Sequence, residues 1–175
     1  MACTAKALIV VGMLLAHAIG VAQQISSESQ RGAEMSEEAK ARTTLFESVA
    51  LRKGFRVIGG RYGGDLQSDQ LAISTDGNVT ALLLGPKVTS ISGDVQLDQS
   101  SLGGHPQLSA DWIQEVVRIL DADSMHASDA QAIRSSWRKG QLLLALLVVA
   151  KSDGDVKLLR ITTPEVPRDF NHREP

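Results

Sequence analysis

Gln141-Leu-Leu-Leu-Ala-Leu-Leu-Val-Val-Ala150 is the stretch on which the fold turns. It is apolar at odd and even positions alike, the pattern of a strand covered on both faces. As a helix it is too short to cross a bilayer, which takes about 20 apolar residues. The remainder of the chain must therefore supply neighbouring strands and cover for both faces.

Just downstream, Ser152-Asp153-Gly154-Asp155 is an Asp-Gly turn, and Val156–Thr163 is predicted to pair back with Leu159 and Ile161 inward. Pro164 and Pro167 then break regular structure, and residues 166–175 read as a loose polar tail. Just upstream, a short helix is expected from Ser128 to Arg138, with Gln131 at capping-box spacing from Ser128 and Gly140 as its stop. Before it, Ser109 caps a helix over Ala110–Asp121. Trp112, Ile113, Val116, Val117, Ile119 and Leu120 give that helix an apolar face wide enough to demand deep burial.

Further upstream the period shortens. Leu71–Ser74 and Val79–Leu84 flank Thr75-Asp76-Gly77-Asn78, a second Asp-Gly hairpin, and Gly85-Pro86 is expected to end the latter strand. Val88–Ser92 and Val95–Leu97 are read as another hairpin across Gly93-Asp94, and Phe55–Gly59 as a first short strand. Residues 61–70 and 98–108, both rich in glycine and polar residues, read as loops. An amphipathic helix opens the domain over Glu37–Lys53, with Ser36 as N-cap, acids in its first turn, Arg52 and Lys53 in its last, and Gly54 as its stop. Its stripe is Ala41, Leu45, Phe46, Val49 and Ala50.

These elements predict a single α+β domain over residues 37–165. The sheet is mainly antiparallel, of about five or six strands with at least two Asp-Gly hairpins. An N-terminal helix and a central helix pair cover it. No internal repeat is present.

The N-terminus has a different character. Lys6 precedes the apolar run Ala7–Ala22, which contains one histidine and no acid, and the chain turns polar at Gln23. A basic lead, an apolar centre and small residues at the boundary describe a cleavable export signal over residues 1–22. Gly20 and Ala22 place the cut between Ala22 and Gln23, with Ala16-His17-Ala18 as a second possible site. An uncleaved membrane anchor is the rival reading, but Ala7–Ala22 falls short of the about 20 apolar residues of a spanning helix. Residues 23–36 then form a polar lead. The one cysteine, Cys3, lies within the expected signal, so the processed chain would carry no disulfide and no thiolate. The expected location is the periplasm or the exterior, with no stable membrane anchor after cleavage. Arginine outnumbers lysine in a chain rich in alanine, leucine, valine and glycine, a bias of GC-rich bacterial genomes.

Chemistry is sparsely signposted. The formal net charge of −2 argues against a nucleic-acid or anionic-membrane partner, which would call for a basic face. Nucleophile-elbow, P-loop, zinc-helix, dinucleotide and EF-hand motifs are missing, so no cofactor is expected. Gly59-Gly60-Arg61-Tyr62-Gly63-Gly64 has the wrong spacing for a dinucleotide turn; any ligand there would be an anion near Arg61. Ser136-Trp137-Arg138-Lys139 matches a serine–lysine catalytic spacing but closes a helix instead of opening one. Asp121, Asp123, His126 and Asp129 crowd one interhelical connector, and carboxylate with imidazole suits a divalent cation. A solvated connector is the favoured reading, since Asp121 ends one helix and Asp129 suits the first turn of the next, so they are weak metal candidates only. Asn78-Val79-Thr80 is a glycosylation sequon only in a eukaryotic host, and a turn asparagine otherwise. Trp112 and Trp137 fall on apolar helical faces and read as core.

An exported domain without a catalytic set favours a non-catalytic module that binds an envelope or extracellular protein, docking by strand addition at an exposed sheet edge. One alternative is a small hydrolase whose Asp65, Asp69 and His105, in the longest loops, meet in the fold. The other is a carrier of an apolar ligand held between helix and sheet.

Overall fold

A computed structural model of the chain describes residues 37–60, 62, 69–168 and 170. The expected signal peptide and its Ala22–Gln23 cut, the polar lead, Ser36, Arg61, Asp65 and the last five residues lie outside the described residues. The chain divides into two compact units, Met1–Ala41 and Arg42–Pro175. Of the first, only residues 37–41 are described. They are helical, and Lys40 Nζ donates to Glu37 Oε1 at 2.8 Å. Apart from these first residues of the opening helix, all that follows concerns the second unit.

Helix α1 covers residues 37–52. Strands β1 (Arg56–Ile58), β2 (Gln70–Asp76) and β3 (Val79–Val88) follow, then helices α2 (Ala110–Asp121) and α3 (Ala127–Arg138), and last β4 (Leu142–Val149) and β5 (Val156–Ile161). The sheet runs β1-β2-β3-β4-β5, in chain order. β1–β2, β2–β3 and β4–β5 are antiparallel; β3–β4 is parallel. The parallel pair follows from the connection between them, since a chain that leaves β3 through two helices can return to the end where β3 began. The fold is α+β, with its N-terminal helix ahead of a helix pair.

β4 is covered on both faces, as its composition requires. Leu142, Leu144, Leu146 and Val148 join Leu71, Ile73, Leu82 and Leu84 in one core, against Trp112, Ile113, Val116, Leu120, Ile133 and Trp137 of α2 and α3. Ala72, Leu83 and Leu147, one residue out of phase, meet Phe46, Val49 and Ala50 of α1 on the opposite face. Period-two alternation thus sorts the side chains of β2, β3 and β4 between two helical layers.

The helix ends are set by local chemistry. Ser109 Oγ accepts from the Trp112 N–H at 3.2 Å, capping α2 as expected. α3 stops at Gly140, at φ 67°; Gln141 N donates to Ser136 O at 2.7 Å and Gly140 N to Trp137 O at 3.0 Å. That pair of bonds needs a left-handed residue, which glycine provides without a Cβ clash, and it turns the chain straight into β4. α1 closes at Gly54 with the same two bonds, Phe55 N to Ala50 O and Gly54 N to Leu51 O.

Four expectations are corrected. β3 does not end at Gly85-Pro86 but continues to Val88. The pairing with β4 shifts register between Leu84 and Lys87, so Pro86, lacking an N–H, sits at an irregularity where no ladder bond is asked of it. Val88–Ser92 and Val95–Leu97 form no hairpin; only Val88 is strand. Ser90, Ser92 and Asp94 bond one another instead, with Asp94 N donating to Ser90 Oγ and Ser92 Oγ to Asp94 Oδ2. α3 begins at Ala127 after His126, without a side-chain cap, so Ser128 is already inside the helix and the capping box does not form. Finally, Phe170 is not loose: its ring packs on Trp137 with centroids 4.9 Å apart.

Candidate functional site

β5 is the terminal strand of the sheet, bonded to β4 on one side and to no strand among the described residues on the other. Its registry with β4 fixes its faces. Leu159 opposes Leu146 and Ile161 opposes Leu144, on the α2/α3 side; Leu158 opposes Leu147 and Val156 opposes Val149, on the α1 side. The prediction that Leu159 and Ile161 face inward holds for Ile161, which packs on the core, and not for Leu159, which shares its face but is exposed. Val156, Leu158 and Leu159 remain 42%, 40% and 39% exposed, because they lie at the margin of both helical layers. Lys157 and Arg160, also exposed, alternate with them. A row of backbone groups with no strand partner among the described residues, beside half-exposed leucines, is a template for a further strand. At the other margin β1 has only three residues, one of them committed to an ion pair with α3, so it offers far less.

The interhelical cluster is bound up internally. Asp129 Oδ1 accepts from Arg56 at 2.5 Å, and its Oδ2 lies 3.0 Å from His126 Nδ1. His126 Nε2 is 4.0 Å from Asp123, and Asp121 pairs with Arg134. Burial would raise the Asp129 carboxyl, but hydrogen bonds from Arg56 and His126, with their charges, outweigh it and hold the group below the usual carboxylate range. The same two carboxylates, Asp123 and Asp129, add to burial in raising the Tyr62 hydroxyl. Among the described residues no group of three potential ligands is arranged to hold a metal ion. The cluster fastens the start of α3 to β1.

The serine–lysine pair is not assembled either. Ser136 is buried; its Oγ donates to the Asn78 carbonyl at 2.8 Å and lies 2.7 Å from Thr80 Oγ1, while Lys139 is exposed at the helix end. These hydroxyls tie α3 to the β2–β3 hairpin, and they leave the sequon with a buried Thr80 beside an exposed Asn78.

Of the loop candidates, Asp69 and His105 are described, and only His105 lines a cleft. His105 lies in a cleft of about 270 Å³ beside α2, lined also by Asp111, Glu115, Arg118, Asp121 and Arg134. Its Nδ1 is 3.9 Å from Asp111 Oδ2. The Arg118 hydrogen bond lowers the Glu115 carboxyl; burial opposes this, and the charges of Arg118 and His105 reinforce it. Glu115 is therefore a fixed carboxylate, unsuited to proton donation near neutral pH. The described lining contains no hydroxyl or thiol. Asp69 is buried elsewhere, in a group that the sequence did not single out. Lys87 Nζ donates to Asp69 Oδ2 at 2.5 Å, and Gln107 Nε2 to the same oxygen at 2.7 Å. Both members of the ion pair are 4% exposed. No usable signal of it stands in the sequence, because the expected strand stops at Gly85-Pro86, ahead of Lys87.

Around that pair a polar network pins two loops. Tyr62 N donates to Asp69 O at 3.3 Å. Ser101 Oγ and Trp112 Nε1 both donate to Tyr62 O, at 3.0 and 3.3 Å. The Tyr62 hydroxyl donates to Gly59 O. Tyr62 is thus anchored through its backbone and its hydroxyl, and buried under α2. The space between the helix pair and the sheet is occupied by Trp112, Trp137, Tyr62, Ile113, Leu120 and Ile133, all essentially buried.

No family model matches the chain, and neither curated proteins nor solved structures return a match to it. No described helix is long and apolar enough to cross a membrane.

Proposed function

We propose that this chain is an exported protein-binding module that takes an extended segment of a partner onto the free edge of β5. The observation that carries the reading is that edge: six residues in one strand, with Val156, Leu158 and Leu159 half-exposed on both faces. Strand addition uses the partner's backbone for affinity and alternate side-chain positions for specificity, and β5 offers both. Export rests on the basic, apolar and small-residue succession of residues 1–22. The internal pairing of the Asp129 and Asp69 clusters, and a described lining of the His105 cleft that offers no hydroxyl or thiol, favour binding over catalysis.

A photo-crosslinking residue placed at Leu158 in the native host tests this. A discrete adduct with one envelope or extracellular protein is expected there, and none from Leu51, which is more exposed but lies on α1. Equal adducts from both positions, or none from Leu158, would contradict the proposal.

A further inference from the structure

We infer that the partner's added strand carries two carboxylates flanking two apolar residues, an acid–apolar–apolar–acid segment. This rests on the docking edge proposed above and names what that edge selects.

β5 reads Val156-Lys-Leu-Leu-Arg-Ile161. Its two charged side chains are both cations, and the strand holds no acid. Lys157 opposes Val148 and Arg160 opposes Ala145, so the two cations project from opposite faces of the sheet, three residues apart. Leu158 and Leu159 lie between them, likewise one to each face. Residues directly opposite in adjacent strands point to the same face. A partner that neutralises both cations therefore places its own carboxylates three residues apart, with two apolar residues between them facing Leu158 and Leu159. The match works for a parallel or an antiparallel added strand, because the four-residue pattern is the same read in either direction.

The same charges exclude the nearest competitors. A seam between two copies of β5 would bring together both copies' Lys157 and Arg160 with no strand acid to offset them, and like charges on adjacent strands repel. Edge lysines commonly serve to discourage such pairing. An internal occupant is also disfavoured, since no acid–apolar–apolar–acid segment occurs anywhere in this chain. The occupant is a different protein.

Two extended synthetic peptides test this, one with a Glu-Val-Val-Glu centre and one with Lys-Val-Val-Lys, titrated into the isotope-labelled full chain by NMR. The glutamate peptide is expected to shift the amides of Val156–Ile161 and to bind at least about tenfold tighter than the lysine peptide at low salt, a margin that shrinks at high salt. The Lys157→Glu and Arg160→Glu pair of substitutions should reverse that preference, with an unchanged thermal midpoint showing that the fold is intact. Should both peptides bind β5 equally, or the substitutions leave the preference unaltered, the charge rule fails although the docking edge stands. If neither peptide moves β5 amides, the docking edge fails with it. A concentration-dependent dimer that protects those amides would overturn both in favour of self-pairing.

Discussion

Two residues carry consequences out of proportion to their size. Gly85 sits in β3 at φ 141°, in a region that L side chains rarely enter, and a Cβ there would lie 2.7 Å from the Leu147 carbonyl oxygen of β4. The contact is with backbone in the central strand pair, so neither side can easily give way. Gly85→Ala is expected to cost at least about 2 kcal/mol by urea denaturation, combining backbone strain with overpacking. Lys87 is the other. It sits on the α2/α3 face of β3, opposite Val148, and its buried bond is to Asp69, whose same oxygen accepts from Gln107 ahead of α2. Removing one member of a buried pair strands the other charge. Lys87→Met should therefore destabilise by about 3–5 kcal/mol, and Lys87→Met combined with Asp69→Leu by less than the sum of the two single losses. Strict additivity in that double-mutant cycle would mean that the two side chains do not interact. Neither residue could be weighed from sequence. The oxygen that crowds Gly85 and the carboxylate that meets Lys87 arrive from distant parts of the chain.

At the scale of the element, legibility followed the range of the interaction. Ser109, Gly54 and Gly140 act on bonds within one turn of themselves, and the helix ends they imply are where they were expected. The turns at Asp76-Gly77 and Asp153-Gly154 likewise connect antiparallel neighbours. The expected hairpin at Gly93 failed because Ser90, Ser92 and Asp94 satisfy their backbone locally, an outcome that strand propensity does not register. Passage of β3 through Pro86 depended on a register shift against β4, a strand more than fifty residues later in the chain. The docking of α3 was similarly hidden, since Arg56 and Asp129 are 73 residues apart. Its consequence is a pH dependence. Asp129 is held below its ordinary value in the folded chain, so its contribution to stability is fully present above the unfolded carboxylate pKa of about 3.9 and is lost as pH falls through the lower folded value. Asp129→Asn should thus be clearly less stable than the natural chain at neutral pH, and the gap should narrow on acidification below about pH 4. A gap that stays constant between neutral and acidic pH, measured by denaturant titration, would show that Asp129 acts through packing alone.

For the whole molecule, one sheet separates two helical layers, and the layers do not reach its last strand equally. The central strands β2, β3 and β4 lie beneath α1 on one face and α2 with α3 on the other, while β5 extends beyond both. The composition of residues 141–150 made the double cover legible in advance, because an unbroken apolar run has no wet face to offer. That β5 lies at the margin was not read from the sequence, although Lys157 and Arg160, one to each face, suit a rim strand better than one covered on both sides; the chain-order arrangement of the sheet puts it there. The proposed activity depends on that rim being open. Amide hydrogen exchange of Val156–Ile161 in the free chain is the most direct measurement of it. If the edge is open, alternate amides of β5, those pointing away from β4, exchange close to the rate of an unstructured peptide while the β4 amides stay protected. Protection of all six β5 amides to the level of β4 would mean that the edge is already covered, and the strand-addition account would be wrong.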